Sequence, residues 1–242
     1  MTMKAVIFDV YNTLFRNDTS CWTDVFGDIC RIQELAVSPE DLWVRWKTFE
    51  VQFRQTRTNM ENPEESPLFK TYQMAWGEAF VKAFDSLGIK GDPEQAAQIS
   101  VNGMANREPY EDTISFLDYV GHRWKRSLLT NADNDFIEPL LQRHNLFFDA
   151  VVTSEMARAY KPDPRVFQRV LRETGVLPEE ALYVGDTLLD DVHGAKLAGM
   201  SAAWINRNEA DRDTGLLAPD YEVTELRELV GVLDILEKEV IS

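Results

Sequence analysis

Four polar residues lie at or beyond the ends of short apolar runs in this chain, and their side chains could do chemistry. They are Asp9, Thr130, Lys161 and Asp186. Each apolar run is typical of a parallel strand that is covered on both faces. Packing of a core does not require a polar residue at any of these points. Because open parallel sheets bind ligands beyond the carboxyl ends of their strands, we predict that the four residues share one site.

The residue types suggest what such a site could do. A carboxylate such as Asp9 can attack phosphorus or carbon, so that a covalent intermediate divides one difficult step into two. Thr130 and a backbone N–H can hold an oxygen of a transferring group, and Lys161 supplies a compact positive charge. Asp9 and Asp186 would repel each other unless a cation lay between them, and Mg²⁺ suits carboxylates, phosphate and water. The alternative for Asp9 is a helix N-cap or a turn residue.

The elements that must position these residues alternate between strand and helix in the second half of the chain. This alternation indicates βαβ units and a parallel sheet, which makes an α/β fold with five core strands. The predicted strands cover residues 5–8, 127–130, 150–152, 181–184 and 202–205.

A helical segment interrupts the α/β pattern after the first strand. Apolar and aromatic residues recur at helical spacing from about residue 22, and Ser66 and Pro67 predict the start of a long helix. We therefore predict an α/β core made of residues 1–15 and 106–242, with an all-helical cap domain at residues 16–105.

Composition limits the possible partners. Acidic residues outnumber basic ones by 41 to 25, for a net charge of −16. Nucleic acid and anionic membrane surfaces are disfavoured, because both require a basic face. We expect a small anionic substrate, drawn in by a few local cations or a metal ion.

The location expected from the sequence is the cytoplasm. Cys21 and Cys30 form neither a disulfide framework nor a metal-binding spacing, which suits a reducing compartment. No signal peptide is recognised before the first strand, and no apolar run reaches membrane-spanning length. We expect a monomer or a homodimer.

The four candidate positions each lie in a short motif. The motifs are Asp9 to Leu14, Leu128-Leu129-Thr130-Asn131, Tyr160-Lys161-Pro162-Asp163-Pro164, and Gly185-Asp186 with Asp190 and Asp191. In order and spacing, the chain resembles the haloacid dehalogenase superfamily, in the branch whose helical cap is inserted after the first motif. The resemblance covers essentially the whole chain. It implies a doubly wound, Rossmann-like parallel sheet with strand order 5-4-1-2-3 and a cap that closes over Asp9.

The resemblance also implies a role for each motif residue. Catalysis would involve Asp9, Tyr11, Thr130, Asn131, Lys161 and Asp190. Mg²⁺ would be bound by Asp9, the backbone carbonyl of Tyr11, Asp186 and Asp191. Substrate would contact Thr13 and Arg45. The alternative for Asp190 and Asp191 is a pair of charges in the first turn of a helix, and for Lys161 a solvated surface lysine.

Tyr11 departs from the pattern of the superfamily's phosphatases. These carry, two residues after the nucleophile, a second aspartate that protonates the leaving group and then activates water. A tyrosine, with a reference pKa of about 10, replaces that acid poorly at neutral pH. The superfamily's haloacid dehalogenases do have tyrosine there, since a halide leaves without a proton.

Other segments are divided between those that resemble the dehalogenases and those that differ from them. Arg45, Lys47 and Glu50 resemble the dehalogenase segment whose arginine meets the substrate, although Arg45 could equally lie on the exposed face of an amphipathic helix. Asp190 matches the water-activating aspartate of the dehalogenases. Gly185-Asp186-Thr187, in contrast, stands where those metal-free enzymes carry Ser-Ser-Asn, and Phe167 stands where they carry tyrosine.

We therefore expect a hydrolase with Asp9 as covalent nucleophile, and a Mg²⁺-dependent phosphatase acting on a small phosphorylated metabolite is the first hypothesis. The second is a metal-independent 2-haloacid dehalogenase, which Tyr11 favours. The third is a catalytically weakened binding protein that kept the fold, because a fold does not fix a function.

Overall fold

Short apolar runs form a single parallel sheet in the computed structural model, which describes residues 3–238. The strand order is β3-β2-β1-β4-β5-β6, and every neighbouring pair is parallel. The strands are β1 (Ala5–Phe8), β2 (Lys125–Thr130), β3 (Ala150–Thr153), β4 (Ala181–Gly185), β5 (Ser201–Ile205) and β6 (Tyr221–Val223).

The predicted fold class and strand order are confirmed, since the sheet taken from β5 across to β3 has the order 5-4-1-2-3. The expected number of five strands was wrong. A sixth strand, β6, extends the edge by pairing with β5, with Tyr221 opposite Ala203. Three residues are too short to produce a recognisable alternation of apolar and polar positions, so this strand left no pattern in the sequence.

The central strand β1 determines where the candidate residues emerge. Phe8 pairs in register with Leu128 of β2 on one side and with Val184 of β4 on the other. The backbone N–H of Asp9 then donates to the Val184 carbonyl at 2.9 Å. The residues that follow these three strands therefore leave the sheet at one common edge.

Ten α-helices occur in the described residues. They are α1 (Thr19–Ile32), α2 (Pro39–Thr56), α3 (Tyr72–Leu87), α4 (Pro93–Ala105), α5 (Thr113–Gly121), α6 (Asn134–Arg143), α7 (Ser154–Ala157), α8 (Pro164–Thr174), α9 (Gly194–Leu197) and α10 (Leu229–Lys238). Within residues 3–238, no helix is both long and apolar enough to cross a membrane.

Helices cover both faces of the sheet. On one face, Ile7 and Tyr183 are fully buried in a cluster with Phe167 of α8. On the other face, Phe8 packs edge-on against Phe116 of α5, with ring centroids 6.1 Å apart. Burial on both faces explains why the strands read as continuous apolar runs.

The chain divides into two compact units. The first contains the sheet and comprises the described residues up to Arg16, the segment Glu108–Asn131, and the described residues from Phe147 onward. The second comprises Asn17–Arg107 and Ala132–Leu146 and is helical.

Aromatic packing forms the centre of the helical unit. Trp46 is 1% exposed, and its ring lies 5.4 Å from Trp22 and 5.4 Å from Phe26, measured between centroids. Trp76 stacks on Phe136 of α6 at 5.8 Å, so α6 packs with the helices of this unit. These aromatic side chains are therefore core residues of the unit.

Helix α3 begins later than predicted. The expected start at Ser66 and Pro67 was wrong. The helix begins at Tyr72, where the Thr71 side chain accepts a hydrogen bond from Met74 N. The carboxylate of Asp133 also accepts hydrogen bonds from the backbone N–H groups of the first two helical residues, both at 2.8 Å. These contacts satisfy donors that a helix start leaves without partners.

Candidate active site

The first motif forms a tight loop at the end of β1. The backbone N–H groups of Leu14 and Phe15 both donate to the Val10 carbonyl, at 2.8 and 2.9 Å. Asn12 has a φ of 64°, in the left-handed region that asparagine tolerates better than most residues. Because the loop folds back on itself, Asp9 is held at the start of the loop and is only 6% exposed.

Lys161 lies at the centre of the site. Its side chain is 2% exposed, and Nζ donates to Asp9 Oδ1 at 2.7 Å and to Asp191 Oδ1 at 2.5 Å. A third hydrogen bond, at 2.9 Å, goes to the hydroxyl oxygen of Tyr183. The alternative of a solvated surface lysine does not apply, because this ammonium is buried among acceptors.

The charge of Lys161 is stabilised by its neighbours. Burial alone would lower the pKa of this lysine, but the carboxylates of Asp191 and Asp9 outweigh burial and raise the pKa well above its ordinary value. The ammonium is therefore charged throughout the neutral range.

Three carboxylates lie close together here, and two of them, Asp9 and Asp191, bind the ammonium of Lys161. One oxygen from each of Asp9, Asp186 and Asp191 lies within 4.8 Å of the others. Burial raises the pKa of Asp9 to about 6, while Lys161 opposes that rise and Asp191 adds to it. Burial likewise raises the pKa of Asp186 well above its ordinary value, and the charges of Asp191 and Asp9 raise it further.

The charge balance of this group fits a divalent cation. Among the described residues, no other residue donates a hydrogen bond to the Asp186 carboxylate, whereas Asp9 and Asp191 both bind Lys161. One positive charge thus faces three acids, and the carboxylate without a donor is the one that a hard cation would bind. Asp9 and Asp186 are therefore candidates for direct ligands of a hard divalent cation.

Asp191 is fixed more firmly than its two acidic neighbours. Its Oδ2 accepts hydrogen bonds from Thr187 N at 2.9 Å and Thr187 Oγ1 at 2.6 Å, and its Oδ1 accepts from Lys161. Both oxygens of Asp191 thus accept hydrogen bonds, and one of them orients the lysine. The binding of a metal ion by Asp191 stays a prediction.

A glycine and a π-helical turn allow Asp191 to approach β4. A Cβ atom at Gly185 would lie 2.4 Å from Asp191 Cγ, so any larger residue would displace that side chain. The turn Leu188–His193 is π-helical, and the N–H of Val192 reaches back to the Thr187 carbonyl at 3.2 Å. Such turns are rare and occur frequently at functional sites.

Asn131 connects the second motif to the third and fourth. Its Oδ1 accepts a hydrogen bond from Lys161 N at 2.7 Å, and its Nδ2 donates to the Lys161 carbonyl at 3.3 Å. The same Nδ2 donates to Asp190 Oδ2 at 3.2 Å. One amide therefore holds the backbone of the lysine and orients a half-buried acid.

The remaining predicted site residues differ in burial and in the unit to which they belong. Thr13 is buried and its hydroxyl makes a long hydrogen bond of 3.4 Å to Asp9 Oδ2. Tyr11 is 8% exposed in the loop after Asp9, and Thr130 is buried at the end of β2. Arg45 is exposed on α2, in the helical unit, and its contact with substrate stays a prediction.

Sequence reasoning missed several residues that shape this site. Tyr183 was taken only as part of an apolar strand, although a tyrosine inside such a run is a signal that a hydroxyl needs a partner. No sequence pattern assigned a role to Arg207; its Nη2 donates to the Thr13 carbonyl at 3.0 Å and its guanidinium lies 3.7 Å from the centroid of Tyr110. Gly185 and Thr187 were identified only as motif positions, and their contacts with Asp191 were not predicted.

Comparison with known proteins identifies similar sequences. The family model for haloacid dehalogenase-like hydrolases matches residues 3–199. A phosphoserine phosphatase from Thermus thermophilus is 35% identical over 161 residues, which cover 62% of this chain and 61% of the phosphatase. The chain thus spans less than two thirds of that relative. An (S)-2-haloacid dehalogenase from Xanthobacter autotrophicus is 29% identical over 85% of this chain and 76% of its own length.

Comparison with solved structures supports the fold alone. The HAD-hydrolase YfnB from Bacillus subtilis, solved bound to magnesium, superposes with a TM-score of 0.79 at 19% identity. The match covers 97% of this chain and 100% of YfnB. In sequence, the chain is thus similar both to a phosphatase and to a dehalogenase.

Proposed function

This chain belongs to the haloacid dehalogenase-like hydrolases, and from that premise we propose that it is a Mg²⁺-dependent phosphatase with Asp9 as nucleophile. The observation that carries the proposal is the Asp186 carboxylate, which is held beside Asp9 and Asp191 and receives no hydrogen bond from another described residue. A metal-free reaction gives that third acid no role, whereas a divalent cation would balance it.

In the proposed reaction, the Asp9 carboxylate attacks phosphorus and the bond between phosphorus and the leaving-group oxygen breaks. The leaving group departs with the electron pair, and water then attacks phosphorus to release phosphate and restore Asp9. Lys161 holds the attacking carboxylate at 2.7 Å, and Thr130 offers a hydroxyl to the transferring group. Mg²⁺, bound by Asp9, Asp186 and the Tyr11 carbonyl, would supply positive charge against the phosphate oxygens.

The proposed substrates are phosphates whose leaving group needs no proton. Tyr11 occupies the position of the phosphatase acid, and a phenol of ordinary pKa, about 10, is a weak general acid at neutral pH. Acyl phosphates and aryl phosphates release carboxylate or phenolate ions, which are stable without protonation. Asp190, which Asn131 holds, is the proposed base for the attacking water. We assign the helical unit, with Arg45, the role of selecting the substrate.

Turnover of a mixed substrate panel tests this proposal. Acetyl phosphate, p-nitrophenyl phosphate and L-2-chloropropionate would each be assayed with Mg²⁺ and with EDTA, and phosphate and halide would be measured. We expect phosphate release that EDTA abolishes. The Asp186→Asn variant should lose this activity by at least about a hundredfold, since charge stabilisation of this kind contributes several kcal/mol.

A matched variant controls for the change from acid to amide. Asp85→Asn alters an exposed acid on α3 of the helical unit and should retain the full rate. Phosphate release that persists in EDTA, or an Asp186→Asn enzyme with an unchanged rate, would exclude the proposed role of the metal.

Tyr11 favours a second candidate function, a metal-independent 2-haloacid dehalogenase. In that reaction Asp9 attacks carbon, halide leaves without a proton, and no acid is required at position 11. Chloride release that ignores EDTA and falls sharply in Arg45→Ala would support this candidate, and the same panel distinguishes the two.

A further inference from the structure

A buried hydroxyl lies beneath the candidate site. Tyr183 is 0% exposed within β4, where every other residue is apolar or glycine. Its oxygen lies 2.9 Å from Lys161 Nζ, 2.9 Å from the Leu129 carbonyl and 3.0 Å from Asp191 Oδ1. A phenylalanine would fill the same space, so the apolar packing of the sheet does not explain the hydroxyl.

The hydrogen atoms available to Lys161 are all used in this arrangement. An ammonium group has three N–H donors, and here they point to Asp9 Oδ1, Asp191 Oδ1 and the Tyr183 oxygen. The hydroxyl of Tyr183 then donates its own proton to the Leu129 carbonyl or to Asp191. Three acceptors in fixed positions leave the ammonium no freedom to rotate.

We propose that Tyr183 is a positioning residue, whose hydroxyl holds Lys161 in the orientation that presents one N–H to the nucleophile Asp9. The proposal rests on the proposed role of Asp9 and is independent of whether phosphate or halide leaves. The residue acts through the lysine, so it should affect the covalent step more than the binding of substrate.

The Tyr183→Phe variant removes these hydrogen bonds and keeps the ring. The ring of Phe167, whose centroid lies 5.5 Å away, would still pack against residue 183. A hydrogen bond to a charged group is typically worth enough to change a rate tenfold or more, so kcat should fall about tenfold. KM should change less than about twofold, because the contacts with bound substrate are preserved.

A second measurement observes the ammonium itself. In protein labelled with ¹⁵N-lysine, an ammonium held by three buried acceptors should give a sharp N–H correlation that exchanges slowly with water. The signal would be assigned by its loss in Lys161→Met. We expect Tyr183→Phe to shift this signal and to increase its exchange rate at least about tenfold, because one hydrogen-bond partner is gone.

Tyr119→Phe is the matched control. It removes a hydroxyl that binds the Asp234 carboxylate, in the same unit but outside the candidate site. This variant should leave kcat and the Lys161 signal unchanged. Melting temperatures of both variants separate a general loss of stability from a local effect.

The outcomes distinguish this proposal from the proposed function. An unchanged Lys161 signal in folded Tyr183→Phe would overturn the positioning role, even if the enzyme is an active phosphatase. A wild-type protein that hydrolyses none of the panel would overturn the proposed function, while the signal of Lys161 would still test the role of Tyr183. Equal loss of kcat in the two tyrosine variants would also contradict the proposal.

Discussion

At the scale of single residues, the site is defined by an excess of negative charge. Asp9, Asp186 and Asp191 lie together beside the one ammonium of Lys161, which binds Asp9 and Asp191. Burial, and then the charges of the neighbouring acids, raise the pKa values of Asp9 and Asp186. A buried charge without a partner destabilises a folded protein. The metal-free protein should therefore be less stable than its core would otherwise allow.

Replacing Asp186 with a neutral residue should recover part of this lost stability. We expect Asp186→Asn to stabilise the metal-free protein by about 1 kcal/mol at pH 8, because an amide has the shape of the acid without its charge. Urea denaturation in EDTA measures the change, with Asp85→Asn as the control. In excess Mg²⁺ the order should reverse, since only the wild-type protein would gain stability from binding the ion. A less stable Asp186→Asn protein in EDTA would contradict the charge argument.

Acid should weaken metal binding. The pKa of Asp9 is raised to about 6 in the metal-free protein, so this acid is largely protonated at pH 5 and ionised at pH 8. Because a proton and Mg²⁺ compete for the same carboxylate, affinity should be at least about tenfold lower at pH 5 than at pH 8. Calorimetric titration at the two pH values measures the ratio. Affinity that is independent of pH would mean that Asp9 does not bind the ion.

The sequence predicted part of this site, for a physical reason. Asp9 and Asp186 directly follow β1 and β4, and parallel strands end at a common edge, so their meeting could be expected. Lys161 lies beyond α7 rather than directly after a strand, and its place in the site was predicted from the motif that contains it. Tyr183 could not be placed in the same way, since its role depends on where a lysine from another segment lies. The need for glycine at position 185 depends on a side chain six residues later, which no local pattern reveals.

At the scale of elements, the strand β4 and the π-helical turn after it work together. Gly185 allows the turn to pass close to the strand, and the turn brings Asp190 and Asp191 toward two different partners, Asn131 and Lys161. Two consecutive acids thereby both become part of the site. The positions of Asp190 and Asp191 depend on Gly185 having no Cβ atom.

Adding one methyl group at this point should disrupt the site. In Gly185→Ala the new Cβ would lie 2.4 Å from Asp191 Cγ, which forces Asp191 away from Lys161. We expect a stability loss of about 1–3 kcal/mol and a fall in kcat of at least about tenfold. Thermal melts and steady-state kinetics check both effects.

Gly27→Ala provides the comparison for this variant. A Cβ at Gly27, within α1, meets nothing within 4 Å. This change should stabilise the protein by about 0.5–1 kcal/mol and leave the kinetics intact. Similar behaviour of the two alanine variants would show that the close approach at Gly185 is unimportant.

Local sequence patterns predicted where most helices and strands occur, but they predicted poorly the residues at which these elements begin and end. The strands of four or more residues were recognised, whereas the three residues of β6 were not. The start of α3 carries one local signal, the N-cap Thr71, which the prediction passed over in favour of Ser66 and Pro67. The second part of the cap comes from Asp133, 61 residues away from Tyr72, and leaves no signal near the helix in the sequence.

At the scale of the whole molecule, the net charge of −16 opposes the capture of an anionic substrate. Repulsion between like charges lowers the rate of encounter, and salt screens it over a distance of about 8–10 Å at physiological ionic strength. The local cation of the site acts only at short range. The dependence of the reaction on salt should therefore be opposite to that of a basic protein with the same substrate.

This repulsion predicts a rise of kcat/KM with ionic strength. With saturating Mg²⁺, raising NaCl from 10 to 150 mM should increase kcat/KM for acetyl phosphate by about twofold, while kcat changes little. Stopped-assay kinetics over a salt series measure the trend. A fall in kcat/KM would indicate that positive charge near the site attracts the substrate more strongly than the net negative charge repels it.

The glycine at the end of β4 also restricts the order in which this enzyme could change its chemistry during evolution. Metal-free dehalogenases carry serine where this chain has Gly185, yet here a Cβ at that position would collide with the Asp191 side chain. Serine would therefore be accepted only after Asp191 had become smaller. Since Asp191 orients Lys161, that first step would itself damage the enzyme. The proposed metal-dependent form of the site and a metal-free form are thus separated by intermediates that we expect to be poorly active.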